Sequence, residues 1–302
     1  MEALLQSLVP WGLSVIRWGQ SIHHPILDQV FLAITAFGSE LGYILLLPLF
    51  YWCIDAQKGR RIGVLIFFSL GLNSFLKVLF HFPRPAADQV RQLYKASGLS
   101  FPSGHAQGSA TLWGHVFALW NKTWVRVLAV FLIFSIGFSR IYLGVHYPQD
   151  VIVGWSLGIL GVVLFVLLEP KITPLLTRTH FTNQLIIATV FSVGFFLLSP
   201  DRHHVPPCAG LLGFLVGIIL ERRFLRFSSN GTTRQRLMRF FAVVPVALLL
   251  LALKGLFPQG TFWRFLRYAF ASFGAAFLAP WLFLQLKWAQ TESPSNEIAS
   301  KE

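Results

Sequence analysis

The sequence predicts an all-α fold, a polytopic transmembrane helical bundle of about nine spans, and three observations carry that expectation. Of 302 residues, 55% are hydrophobic and 12% charged, and the mean hydropathy is +0.62, a balance outside that of water-soluble domains. Apolar windows of about 17–25 residues recur along the chain, the length that crosses ~30 Å of hydrocarbon at 1.5 Å per residue. Such windows are too long for barrel strands, and only a helix or a closed barrel satisfies its own backbone polar groups in lipid.

The elements follow in order. Residues 1–25 mix Leu4, Leu5, Leu8, Val9, Trp11, Leu13, Val15, Ile16 and Trp18 with Gln6, Pro10, Arg17 and Gln20. With no basic leading region and no small-residue cleavage site, this segment reads as an interfacial amphipathic helix rather than a secretory signal. Spans are expected at 26–53, 61–80, 102–121, 124–146, 148–169, 182–199, 207–221, 238–256 and 264–286. The loop 81–101 is the longest polar excursion of the first half, and the polar residues 289–302 read as a disordered tail.

Charge orients the bundle. The net charge of +13 comes from Lys and Arg in the loops between apolar windows, where they act as topology signals and contacts for anionic lipid headgroups; the pattern is not that of a nucleic-acid partner. Lys58, Arg60, Arg61, Lys122, Arg126, Lys171, Arg178, the arginines of 222–239 and Lys287 fall on one set of connections. Placing that set in the cytoplasm puts the N-terminus outside, the C-terminus inside and the start of the 102–121 span on the outer face. A bacterial inner membrane with the site facing the exterior is the favoured setting. Cys53 and Cys208 fall near opposite membrane faces and imply no disulfide. Nothing in the sequence sets an oligomeric state.

Three clusters land at that same outer depth. Lys77 is followed after six residues by Arg84-Pro85; Phe101-Pro102-Ser103-Gly104-His105 opens the third span; and Ser139-Arg140 is followed after five residues by His146 and that after three more by Asp150. Pro102 can occupy the first turn of a helix, whose free N–H groups and positive dipole end attract an anion. Lys77, Arg84 and Arg140 add fixed charge for phosphate oxygens, with Ser103 and the Gly104 amide as hydrogen-bond donors. At an effective dielectric near 20, a charge pair 4 Å apart is worth ~4 kcal/mol, so three cations offset the desolvation of a dianion. Asp150, in a first helical turn, can hold one nitrogen of His146 and free the other as nucleophile. His105 then serves as general acid to the leaving oxygen and afterwards as base for water. The set calls for no metal and no cofactor, and its intermediate is a phosphohistidine.

Eleven of these residues, Lys77 to Arg84-Pro85, Pro102-Ser103-Gly104-His105 and Ser139-Arg140 to His146 to Asp150, resemble the three-part signature of the type 2 phosphatidic acid phosphatase superfamily. The resemblance covers roughly residues 26–200. It implies a six-helix membrane phosphatase core there, with 201–288 as additional C-terminal transmembrane helices. It also implies a metal-independent, outward-facing site in which the matching residues take the roles above. The expected substrate is a lipid phosphate or pyrophosphate whose tail stays in the bilayer, and no residue selects among such lipids. A lipid-linked phosphotransferase and a non-catalytic anionic-lipid transporter or flippase stand as alternatives. Three further residues are candidates: His81 inside the first spacer, Asn73, and Glu40, which falls near the middle of the first span where an ionisable group is costly. Asn73 or Ser74 is a candidate partner for Glu40. Asp88, Tyr94 and Lys95 lie in the adjoining loop as weaker candidates for substrate contact.

Overall fold

A computed structural model describes residues 2–199, 201, 203–245, 258 and 260–292. The regular secondary structure of the described residues is helical apart from one small two-stranded ribbon. Its helices are α1 (Glu2–Ser7), α2 (Val9–Gln20), α3 (Pro25–Ala36), α4 (Glu40–Pro48), α5 (Ala56–Phe80), α6 (Gly104–Leu119), α7 (Thr123–Tyr142), α8 (Pro148–Arg178), α9 (Phe181–Leu197), α10 (Val205–Phe224), α11 (Thr233–Phe241), α12 (Thr261–Phe273) and α13 (Ala279–Gln285). Strand β1 (Phe227–Ser228) pairs antiparallel with β2 (Gln290–Thr291).

Five described segments are long and apolar enough to cross a membrane: α5, α7, α8, α10 and the continuous run Thr261–Gln285. The span expected at 26–53 is a bent pair instead, α3 and Glu40–Ile54 meeting at 55°. Its second half passes after Pro48 into a π-helical turn, Leu49–Ile54, where the proline removes a regular backbone bond. The 104–119 and 181–197 helices hold 16 and 17 residues, at the short end of what a crossing needs, and most of the span expected at 238–256 lies outside the described residues. The fifth span is longer than expected, continuing through Pro170 and Pro174 to Arg178. Ile159, Leu160, Val163, Leu164 and Leu167 on α8 are exposed, as suits a helix solvated by lipid. This is a multi-pass membrane protein.

The chain forms two compact units. The first comprises Met1–Tyr43 with Phe68–Pro174, the second Ile44–Phe67 with Leu175–Glu302, so the division does not follow chain order. In the first unit α8 lies against α6. A Cβ at Gly154 would stand 2.7 Å from the Ser103 carbonyl oxygen, and one at Gly158 would stand 2.5 Å from that of Gln107. Only glycine permits so close an approach, and the four-residue spacing keeps both on the face that begins with Asp150. Helix α2 buries Gly12, Ile16 and Gly19 and leaves Trp11 and Trp18 exposed, an amphipathic division. Its Gln20 donates to the Arg91 and Tyr142 carbonyls at 2.6 and 2.9 Å and accepts from the Arg91 N–H at 3.2 Å.

The second unit packs Tyr51, Trp52, Phe214, Phe227 and Phe283 into an aromatic core. Tyr51 and Trp52 donate to the Ala276 and Ala275 carbonyls at 3.0 and 2.9 Å. Buried Glu221 accepts from Arg60 at 2.9 Å, and the buried Arg239 guanidinium donates to the Ser228 and Ser229 carbonyls at 3.3 and 2.7 Å. Thr232 and Gln235 form a reciprocal capping box that starts α11. The tail expected from 289 does not start there: Ala289 is buried and 290–291 belong to the ribbon, because their backbone finds partners in β1. Residues 293–302 lie outside the described residues. Cys53 and Cys208 are both free and buried.

Candidate active site

All three clusters meet in the first unit, at the C-terminal ends of α5 and α7 and the N-terminal ends of α6 and α8. Lys77 sits in the last turn of α5, Arg140 in the last turn of α7 and Asp150 in the first turn of α8. His146 lies in the short connection before Pro148, which starts α8 with a residue that lacks an N–H. Pro102 stands two residues before the first helical residue, outside the turn expected for it. Ser103 caps the helix, and α6 begins at Gly104, so the open backbone donors belong to Gly104 and the residues after it.

The Ser103 side chain makes none of the usual bonds of a helix cap to the following N–H groups. Its hydroxyl oxygen is buried without a partner, as is Nε2 of His105. The backbone is nevertheless fixed, since the Ser103 N–H donates to the Asp150 carbonyl at 2.9 Å. Two unpartnered polar atoms held on a fixed backbone at a helix mouth fit a ligand that supplies both partners. Room beside the His105 ring comes from the break between α3 and α4, where a Cβ on Gly38 would stand 3.2 Å from Cδ2 of His105.

His146 is held on both nitrogens. Its Nδ1 lies 3.2 Å from Oδ2 of Asp150, while Nη1 of Arg84 lies 2.8 Å from Nε2. Arginine can only donate, so Nε2 carries the lone pair and Nδ1 the proton. Burial, followed by the charges of Arg84, Lys77 and Arg140, pushes the His146 proton affinity well below the ordinary imidazole value. Asp150 Oδ2 also accepts from the Tyr147 N–H at 3.0 Å and from the Ser100 hydroxyl.

Two of the three cations are fixed by backbone carbonyls. Lys77 donates to Leu99 and Ser100 at 2.7 and 2.9 Å. Arg84 donates to Gly98, Val145 and Ser97 at 2.9, 2.8 and 3.0 Å, and burial brings its pKa down to about 10. Arg140, fully buried, donates to the Thr35 hydroxyl and stacks 4.8 Å from the centre of the Tyr94 ring. No group of three or more His, Cys, Asp or Glu side chains among the described residues has the geometry to hold a metal ion.

The additional candidates separate. Asn73 is buried beside the mouth and donates to the Pro102 carbonyl at 3.2 Å and to Gln107 at 2.9 Å, while Ser74 bonds to its own helix at the Leu70 carbonyl. Glu40 is not in the middle of a continuous span. It is exposed in the first turn of α4, just past the bend, where a helix dipole favours a carboxylate. His81 is exposed where the chain leaves α5, at φ 49°, and among the described residues its side chain makes no hydrogen bond to the cluster. Sequence reasoning missed Ser100 and Thr35. The apolar neighbours in Leu99-Ser100-Phe101 do mark the point where the polar loop re-enters the bundle, but no spacing rule pairs that hydroxyl with Asp150.

A membrane helical bundle with three fixed cations, two histidines and a buried carboxylate at one end defines the class to which comparison with known proteins adds a family. Residues 58–174 match the PAP2 superfamily, and residues 206–291 match the PAP2 superfamily phosphatase, transmembrane extension. A lipid A 4'-phosphatase of Bacteroides thetaiotaomicron is 32% identical over 185 residues, covering 56% of this chain and 82% of that protein. Lipid phosphate phosphatase delta of Arabidopsis thaliana is 26% identical over 257 residues, with 75% of this chain and 61% of that protein covered. Sphingosine-1-phosphate phosphatase 1 of Mus musculus is 30% identical over 175 residues, with 55% and 41% covered. The chain therefore spans less than two thirds of the length of the plant and mouse relatives. It belongs to the PAP2 superfamily.

Proposed function

We propose that this protein is an integral-membrane, metal-independent phosphatase that hydrolyses a phosphate or pyrophosphate monoester carried on a lipid. The observation that carries the reading is the state of the two histidines. His146 has Nδ1 on Asp150 and a lone pair at Nε2, and the His105 Nε2 and Ser103 hydroxyl are buried without partners. Binding alone has no use for a nucleophile and an acid.

In the first step the substrate phosphoryl group enters the α6 mouth. Its oxygens take the Ser103 hydroxyl, the free N–H groups of the first turn and the charges of Lys77, Arg84 and Arg140. Arg84 then exchanges His146 for a phosphate oxygen. Nε2 attacks phosphorus as the bond to the lipid oxygen breaks, and that oxygen takes a proton from Nε2 of His105. Positive charge developing on His146 is held by Asp150. In the second step His105 takes a proton from water, whose oxygen attacks phosphorus and breaks the P–N bond, releasing inorganic phosphate. A soluble ester would not need this setting, whereas a lipid ester keeps its tail in the bilayer.

Orientation follows from charge. Arg126 and Arg140 lie on one helix, roughly 21 Å apart at 1.5 Å per residue, so the basic connection before α7 and the site occupy opposite ends of α7. With the basic end cytoplasmic, the site faces outward and the N-terminus lies outside. Purified protein should release phosphate from lipid phosphates in EDTA and be inhibited by vanadate. His146→Ala and His105→Ala should each lose turnover. Activity that needs a divalent cation, or survives both substitutions, overturns the proposal.

A further inference from the structure

Ser100 lies outside the three sequence clusters, yet it is fully buried and ties the loop 81–103 to all parts of the nucleophile's support. Its hydroxyl donates to Oδ2 of Asp150 and lies 3.2 Å from Nδ1 of His146, so one oxygen can accept from the histidine while its proton goes to the carboxylate. Its carbonyl accepts from Lys77 at 2.9 Å, and its N–H donates to the Phe82 carbonyl at 2.8 Å.

We propose that Ser100 is a positioning residue for the His146–Asp150 pair, fixing the imidazole's plane and tautomer while sharing the carboxylate's charge. The inference rests on the phosphatase reading above. Asp150 Oδ2 accepts from three donors, and the Tyr147 N–H is rigid backbone. Ser100 is therefore the side-chain member of the set that can be removed without touching the histidine, the carboxylate or any cation. Without it the carboxylate keeps one donor besides His146. Its charge is then less shared, and it holds a proton on His146 more firmly. The imidazole also loses a second acceptor that keeps Nδ1 oriented.

The test is Ser100→Ala in the full-length protein, assayed for lipid phosphate hydrolysis in EDTA beside wild type, Ser100→Thr and His146→Ala. The expected result is a 10- to 100-fold loss of kcat with KM within twofold. The acid limb of kcat/KM should move to higher pH, and Ser100→Thr should recover most of the loss by restoring the hydroxyl. Thermal unfolding of each variant in detergent separates misfolding from mispositioning, because a smaller folded fraction lowers the apparent kcat without moving the pH limb. Ser100→Ala with wild-type kcat and an unmoved limb overturns the inference and leaves the phosphatase reading standing. An inactive wild type refutes the phosphatase reading instead, and an active His146→Ala overturns the inference by removing the nucleophile that Ser100 is held to position.

Discussion

Asp150→Asn isolates the charge behind the nucleophile. The amide keeps the volume of a fully buried side chain and one carbonyl oxygen, so the Tyr147 N–H can still be satisfied. What disappears is the negative charge 3.2 Å from His146 Nδ1. A hydrogen bond to a charged group contributes about 1.5–3 kcal/mol, and each ~1.4 kcal/mol is a factor of ten in rate. The bond matters most in the transition state, as His146 turns positive, so kcat should fall roughly 10- to 150-fold. The amide could also favour the wrong tautomer by donating to Nδ1. Arg84 opposes that change in the free protein, because a proton on Nε2 would face the Nη1 donor 2.8 Å away. Lys77, Arg84 and Arg140 are untouched, so KM should stay within about threefold on this argument. The assay is steady-state phosphate release from a short-chain lipid phosphate in detergent with EDTA. A kcat within threefold of wild type, or a loss carried mainly by KM, would refute the reasoning.

Burial and the Arg84 charge hold His146 neutral at pH values where a free imidazole is protonated. The acid limb of kcat/KM should therefore lie below ~6.5. Arg84→Gln removes the largest of those charges and should move the residual activity's limb upward; an unmoved limb contradicts the assignment. Gly158→Leu forces a side chain against the Gln107 backbone and the Ala110 methyl group, 2.5 and 2.7 Å from the new Cβ. It should cost about 1–3 kcal/mol and lower both Tm and activity. Gly161→Leu, with open space around the site of substitution, should do neither. Glu221→Gln leaves the half-buried Arg60 with only the 3.9 Å contact to Glu292 and should destabilise the fold by about 1.5–3 kcal/mol in detergent denaturation, with kcat per folded molecule unchanged.

The residues of the candidate site were legible as a cluster because short-range rules place them. Lys77 and Arg140 close helices, Asp150 opens one after Pro148, and helix ends that meet bring all of them together. Span boundaries were less legible. Hydropathy does not register the break at Gly38, where the chain makes room for a histidine about seventy residues away, so 26–53 read as one continuous span and Glu40 as a mid-membrane carboxyl. Residues 289–291 looked like tail because polarity marks them so, while their order comes from pairing with Phe227 and Ser228. Ser100 and Thr35 escaped for the same reason: a single hydroxyl carries no period, and its partner is set by tertiary packing. The backbone approach that brings Asp150 to Ser103 was present in the sequence as Gly154 and Gly158, four residues apart on its own helix face.

The central claim is that the phosphoryl group passes through Nε2 of His146. Rapid quench of the protein with radiolabelled lipid phosphate in EDTA, followed by peptide mapping, tests it directly. The account predicts an acid-labile, base-stable phosphoryl label on the peptide containing His146, formed at least as fast as kcat, absent in His146→Ala and longer-lived when water attack is slowed in His105→Ala. Phosphate release at the wild-type rate from His146→Ala, or a label carried by any other residue, would contradict it.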